Sequence, residues 1–359
     1  MNFFSIFYLV PVLSMKTIPF GLDIGANTIK AVWLGVEKDG YVLRSAFTTS
    51  SPSRGMLSES PIDEDEMVKT IRKTITEGKI TTPYVNIALP ESQVYTRVIE
   101  MPVLSDKELA SAIYWEAEQQ IPVPLQSVTL DWTVLKRGEK GQQVGKMVVL
   151  LVGASTKLIE KYQKILTSAG LIINSIEAEV LSVIRALVTA GKFPSSLILN
   201  IGALSTSLAI VKDGIMIFTY TIPIGGMAVS RAIATDFGFD LSQADEYKKA
   251  YGVSETALGG KIGKATAPIL VSILTEVKKA VTFYNEKFKN ESSIRQILLS
   301  GGSARLPDID TFFARNSGIE TVVVSPWSML KNKEGIPKEV IDRGSDYAVA
   351  IGLAMRDYE

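Results

Sequence analysis

The tightest constraint on this chain is a local grammar that it uses twice. Phe20-Gly21-Leu22-Asp23-Ile24-Gly25-Ala26-Asn27-Thr28-Ile29-Lys30 runs apolar residues up to an acid, turns at a glycine two places on, and then resumes. Leu197 to Ser207 repeats the pattern with Asn200 in place of the acid and Gly202 in place of Gly25. Each stretch reads as strand, tight turn, strand, and each continues into a hairpin and then helices. A residue without Cβ lets backbone N–H groups come close to an anion, so such turns can hold phosphate. A carboxylate beside one can hold magnesium, usually through water. Asp-x-Gly also occurs in ordinary turns, and one copy alone says little. Two similar lobes facing each other would point both turns into one cleft.

Length and composition narrow the chemistry. At about 150 residues per domain, a chain of 359 residues suggests two domains or one bilobal unit. Lys+Arg and Asp+Glu balance at 38 each, so no basic field recommends nucleic acid as a partner. There is no cysteine and no histidine. That excludes disulfides, zinc–thiolate sites, thiol nucleophiles and histidine-based triads. Carboxylates, lysines, hydroxyls, backbone amides and hard cations remain. The absence of cysteine fits the cytosol. Met1 to Ser14 is apolar and uncharged. It is shorter than the roughly 20 residues of a membrane span and lacks the positive start of a signal peptide. The expectation is a disordered extension, residues 1–15, ahead of a start at Met15. No later stretch reads as long enough to cross a bilayer.

Strands are expected up to Asp23, over Thr28–Glu37 and over Tyr41–Phe47, with Asp39-Gly40 as a hairpin turn. Thr48 to Pro61 reads as a loop. A helix follows over Glu64–Glu77, then a buried strand over Tyr84–Leu89. From Glu91 to Asn174 the texture changes. A strand, a helix opened by the capping box Ser105-Asp106-Lys107-Glu108, two strands around a Gly- and Lys-rich hairpin, and a helix Thr156–Ala169 read as an inserted α/β unit. After it come a strand to Glu177, a helix Glu179–Ala190, and a second meander over Leu197–Ile222. Helices are expected after Gly225-Gly226, over Ser242–Tyr251 and over Ala267–Lys289. The chain closes with a strand Ile294–Leu299, a helix Leu306–Ala314 whose first turn carries Pro307 and Asp308, a strand Thr321–Ser325, and a helix Asp346–Tyr358.

Two further glycine turns join the pair: Gly225-Gly226, and Ser300-Gly301-Gly302-Ser303 ahead of a helix. A helix N-terminus favours phosphate. The order of these turns resembles the actin-like ATPase superfamily, which carries two phosphate loops and then an adenosine loop. Within it, the inserted unit sits where cell-division proteins of the FtsA family and type IV pilus assembly proteins of the PilM family carry an extra subdomain. Met101-Pro102-x-Leu104, Ala117-Glu118-Gln119-Gln120-Ile121-Pro122, Thr129-Leu130-Asp131-Trp132, Ile176-Glu177-Ala178-Glu179 and Ile222-Pro223-Ile224-Gly225-Gly226 are similar to the PilM family. The resemblance covers residues from about Met15 to Glu359.

The resemblance implies a bilobal α/β fold of two ribonuclease-H-like lobes. The first lobe would take residues 16–90, 175–193 and 340–359, and the inserted subdomain residues 91–174. The second lobe would take residues 194–339, with 227–293 capping the nucleotide. ATP and Mg2+ are the implied cofactors. Asp23 would bind the magnesium through water. Gly25, Ala26, Asn27 and Thr28 would clamp the phosphates from one side. Asn200, Gly202, Ser205, Thr206 and Ser207 would clamp them from the other. Lys30 matches the family lysine, though a strand lysine facing solvent fits as well. Gly225 and Gly226 form a further turn, and Gly301, Gly302 and Ser303 would face the adenosine. Asp245 and Lys248 share a helix face and would hold ribose hydroxyls, or else form a surface ion pair. Glu179 would orient a water, or else serve as a helix-start acid.

Asn200 stands where the family pattern has aspartate, so nucleotide binding is expected to survive and any hydrolysis to be slow at most. The implied protein is a cytoplasmic scaffold at the inner membrane face, peripheral to that membrane and able to self-associate. Its partner would be the N-terminal cytoplasmic peptide of a bitopic PilN-like membrane protein. Three alternatives stay open: an FtsA-like division protein, a small-molecule kinase of this fold, and a pseudo-ATPase. The end at Asp357-Tyr358-Glu359, with no linker and amphipathic helix after it, weighs against the first. The absence of a sugar-pocket signature weighs against the second.

Overall fold

The computed structural model describes residues 18–38, 40–138, 145–188, 194–289, 293–331 and 336–358. The apolar start, Asp39 of the expected hairpin turn, the tip of the Gly- and Lys-rich hairpin and Gly191 lie outside the described residues. The elements in order are β1 (Phe20–Ile24), β2 (Thr28–Glu37), β3 (Gly40–Ser50), α1 (Pro61–Glu77), β4 (Tyr84–Leu89), β5 (Val94–Pro102), α2 (Asp106–Gln120) and β6 (Val128–Lys136). Then come β7 (Lys146–Ser155), α3 (Thr156–Ser168), β8 (Ile172–Ala178), α4 (Glu179–Leu187), β9 (Ser196–Ile201), β10 (Thr206–Lys212) and β11 (Ile215–Ile222). The rest are α5 (Gly226–Phe237), α6 (Leu241–Tyr251), α7 (Lys261–Lys287), β12 (Gln296–Ser300), α8 (Ile309–Ser317), β13 (Glu320–Val323), α9 (Lys338–Ile341) and α10 (Ala348–Met355).

The repeat read from sequence is a repeat of topology. One five-stranded sheet has the order β3-β2-β1-β4-β8 and the other β11-β10-β9-β12-β13. In each, an antiparallel meander is followed by parallel neighbours: β1, β4 and β8 in the first, β9, β12 and β13 in the second. Parallel strands buried on both faces need near-continuous apolar runs. Phe20–Ile24 and Ser196–Ile201 are buried at every position. One core cluster joins the lobes, since Ile198, Ala209, Val211, Met216 and Leu298 of the second belong with Leu22, Ile87 and Ile176 of the first.

The inserted unit is a three-stranded antiparallel sheet, β5-β7-β6, with α2 packed on it. Its capping box is formed: Ser105 accepts the Glu108 N–H and the Glu108 carboxylate accepts the Ser105 N–H. The unit leans on the second lobe, where Lys287 of α7 meets Glu100 of β5 at 2.8 Å. The helix α3 bridges the inserted unit and the first lobe: Ile159, Tyr162, Ile165 and Leu166 sink into a core that also takes Leu150, Val152 and Ala154 of β7, and α3 packs on α1, β8 and β7.

Some boundaries shift. The expected loop from Thr48 begins with three more residues of β3, because Lys30 to Thr28 continue to pair with Thr48 to Ser50. The first helix begins at Pro61, whose missing N–H costs nothing at a helix start. Pro307 and Asp308 precede α8, since Asp308 is in the left-handed region (φ 64°) and serves as its N-cap. The final helix divides into a 3-10 turn over Gly344–Tyr347, α10, and a second 3-10 turn. The helix expected from Ala267 starts six residues earlier and carries Pro268 inside it. The helical run Ala257–Lys287 is long and apolar enough to cross a membrane by length and composition, contrary to the expectation above. Here its apolar face, Leu270, Ile273, Leu274, Val277 and Tyr284, is buried in the second lobe's core.

Candidate functional site

The site is built at the carboxyl ends of neighbouring parallel strands, the usual place for ligands in open α/β sheets. In the first lobe, three such ends carry acids. Asp23 is near the end of β1, Glu91 follows β4, and Glu179 follows β8. Asp23 is opposite Lys30 in the β1–β2 ladder, so the two side chains share a face, and Lys30 Nζ reaches Asp23 Oδ2 at 3.2 Å. Both are buried, which settles Lys30 as a partner of the acid rather than a solvent-facing strand residue. Glu179 is half-buried as a residue, but its carboxyl is desolvated. Burial, followed by the charges of Asp23 and Glu91, pushes its pKa up to about 8. Burial likewise pushes Glu91 to about 7. Near neutrality such carboxyls can gain or give up a proton.

The two turns have matching internal geometry. The Gly25 N–H donates to Thr28 O at 3.1 Å, and the Gly202 N–H donates to Ser205 O at 2.9 Å. Ser51 braces the first turn, its hydroxyl donating to Gly25 O at 2.6 Å and its N–H to Asn27 O at 3.0 Å. Ala26 and Asn27 form the exposed tip. The first turn meets the start of α5, which sits on the second turn: Asn27 Nδ2 of the first lobe lies 4.0 Å from Met227 Sδ of the second.

The second lobe's pieces interlock. The N–H groups of Gly226 and Met227 donate to Gly202 O and Ala203 O at 2.9 and 2.8 Å, so α5 starts on the second turn. The Thr206 hydroxyl donates to Ile224 O at 2.7 Å and braces that junction. Ser207 pairs with Asn200 in the β9–β10 ladder, and Asn200 with Ser300 in the β9–β12 ladder. Gly301 has φ 86°, and a Cβ there would fall 2.6 Å from Ile201 O and 2.8 Å from Asn200 Oδ1. Only glycine fits that approach. Ser303 is buried against Gly226, where a Cβ would collide with its hydroxyl, while Gly302 is exposed.

Asp245 and Lys248 lie together beneath this surface. Lys248 Nζ meets Asp245 Oδ1 at 2.5 Å, Ser230 Oγ at 2.8 Å and Gly226 O at 3.2 Å. Three acceptors match an ammonium's three donors, so Lys248 ties α6 to the start of α5. Asp245 also meets Lys249 at 2.5 Å. Burial works against its charge, yet Lys248 and Lys249 outweigh it and hold the pKa near 2.

The residues present fit a nucleotide with its cation. Turn backbones and the close-packed Gly301 form a cradle that side chains would fill. Among the described residues, no cluster of three or more acids stands close enough to hold a metal by itself. A cation at Asp23 would therefore complete its shell with phosphate oxygens and water, the habit of magnesium. Three contributors escaped the sequence reading. Ser51 is one. Glu91 is another, and an acid just past a buried strand's end, behind Pro90, was the available signal. The third is Tyr162 on α3, whose buried hydroxyl has no hydrogen-bond partner among the described residues. Burial raises its pKa, with the nearby charges of Glu179 and Asp23 adding to the effect.

Two meander-led lobes with glycine turns at their strand ends, and a subdomain inserted within the first, define an actin-like ATPase fold. Comparison with known proteins agrees. The family profile of the type IV pilus assembly protein PilM matches residues 21–358, and the chain belongs to that family. A solved chain of a PilM–PilN type IV pilus biogenesis complex is similar at 26% identity and TM-score 0.83, over 96% of this chain and 99% of that one. MreB 5 of Spiroplasma citri, solved with AMPPNP, shares the fold at 13% identity and TM-score 0.54, over 96% of each chain. Among curated proteins, the cell division protein FtsA of Neisseria meningitidis is 24% identical over 92% of this chain and 88% of its own length.

Proposed function

We propose that this chain is an ATP-binding scaffold of type IV pilus assembly or a related type II secretion machine. It works in the cytoplasm at the inner membrane face and takes the N-terminal cytoplasmic peptide of a bitopic PilN-like protein as its partner. The observation that carries the nucleotide part is the pair of matched turns. Gly25–Thr28 and Gly202–Ser205 close in the same way and approach each other through Asn27 and Met227. Phosphate lies between them. Asp23 holds Mg2+ through water, and Gly301 and Gly302 back the adenosine. Magnesium supplies charge neutralisation of the phosphates. Asp245 carries the ribose contact, because the ion pairs leave Lys248 as its anchor. Glu179 orients a water, and turnover is slow because Asn200 cannot act as a base.

The partner reading draws on the likeness to the PilM–PilN complex. The free edge of β6, beside α3, offers a place for strand addition. Self-association belongs to the same reading. The test is capture by the immobilised N-terminal peptides of membrane proteins encoded beside this gene, with and without MgATP. We expect one peptide to retain the chain. No retention in either state would overturn the partner assignment.

A further inference from the structure

Glu91 stands where three parts of the molecule meet. It follows Pro90 at the end of β4 and opens the 3-10 turn Glu91–Gln93, which leads into β5 of the inserted unit. It is 3% exposed. Its Oε2 accepts the N–H of Val180, in the first turn of α4, at 3.4 Å. The backbone of Glu91 in turn lies beside the Glu179 carboxyl. Glu91 thus caps the first turn of α4 next to Glu179. A third tie runs to the second lobe, where the Thr221 hydroxyl of β11 donates to Glu91 O at 3.4 Å. The buried Thr96 hydroxyl on β5 lies beside the Glu91 carboxyl and works against the rise in its pKa.

A carboxylate sunk at a junction is expensive to keep and is dispensable for packing, since an apolar residue would fill the space more favourably. Its bond to the start of α4, beside Glu179, gives it a task. We propose that Glu91 is a positioning residue for Glu179, fixing the acid at the mouth of the cleft according to how the inserted unit sits against the two lobes. The inference rests on the reading that Glu179 orients the water attacking the γ-phosphorus of ATP. In that step an oxygen of water bonds to phosphorus, the bond to the β-phosphate oxygen of ADP breaks, and the water's proton leaves with the phosphate or to solvent. Reaction geometry is sensitive to displacements on the ångström scale. A partner that shifts the inserted unit therefore changes turnover through Glu91 without touching the nucleotide.

The test measures steady-state ATP turnover and MgATP affinity separately on the full chain, for wild type, Glu179→Gln, Glu91→Ala and Glu91→Gln. Glutamine keeps an acceptor oxygen for the Val180 N–H, and alanine does not. We expect Glu91→Ala to lower kcat about tenfold with MgATP affinity unchanged to within about twofold. Glu91→Gln should recover most of that loss. Unchanged kcat in Glu91→Ala would overturn the inference. So would equal losses in the alanine and glutamine variants, or a fall in affinity matching the fall in kcat. Absence of turnover in wild type, or undiminished turnover in Glu179→Gln, would instead bring down the hydrolytic reading beneath it, and the inference with it.

Discussion

Asp23 is already paired before any cation arrives, because Lys30 holds it at 3.2 Å in a buried ion pair. On the proposed reading, magnesium would replace or share that partner with help from the phosphates. Changing Asp23 to Asn should weaken binding of ATP with magnesium by about tenfold or more, with a much smaller effect when magnesium is chelated. Titrations in the two buffers would show the difference. Glu179 and Glu91 carry a pH signature. Both are raised above the ordinary value of 4.5, to about 8 and about 7. Between 4.5 and those values the folded chain holds protons that the unfolded chain gives up, so their contribution to stability falls as pH rises. Melting temperature should decline from acid to mildly alkaline pH, and Glu179→Gln should flatten the decline. A profile unaltered by that change would contradict the buried position of the carboxyl. At Asn200, restoring aspartate should raise ATP turnover, and an unchanged rate would show that the amide is not the limit.

Single residues were only partly legible in the sequence. The turn glycines and Asp23 were readable because a turn's chemistry is local. The Asp245–Lys248 pair was readable from its helical spacing, but the partner of Lys30 and the contacts of Lys248 with Ser230 and Gly226 were not, since these depend on register and on which helix face is buried. The same holds for the buried pair Arg185–Glu177, 2.7 Å apart, which locks α4 to β8.

At the level of elements, the sequence was most informative where capping and periodicity agree. The Ser105 capping box formed as read, and Ser105→Ala should cost about 1 kcal/mol in chemical denaturation. Boundaries drifted where tertiary contact outvoted a local signal. Pro268 looks like a helix start, yet α7 extends back to Lys261, because Ile262 and Ala265 are buried against α5 and α6. The helix α3 follows the inserted strands without a break, and its packing on α1 and β8 as well as on β7 could not be read from its own sequence. The loop after β12 tolerates little change. Gly301→Ala would combine a left-handed backbone with a Cβ 2.6 Å from Ile201 O. It should cost at least about 2 kcal/mol and weaken nucleotide binding together with stability.

For the whole molecule, the twofold grammar of the sequence foretold two lobes and one cleft, and the sheets β3-β2-β1-β4-β8 and β11-β10-β9-β12-β13 bear out that fold. How the inserted unit docks was beyond the sequence, because the Lys287–Glu100 and Thr221–Glu91 contacts join residues far apart in the chain. The curated FtsA relatives share the superfamily, while the family profile over residues 21–358 assigns the chain to the pilus branch. The central claim is that the two turns hold one nucleotide with its magnesium. Calorimetric titration of the full chain with MgATP tests it most directly, alongside the Asp23→Asn chain. We expect a single saturable site in the wild type, weakened in the variant and on chelation of magnesium. No heat and no saturation in the wild type, or equal binding by both chains with and without magnesium, would contradict it.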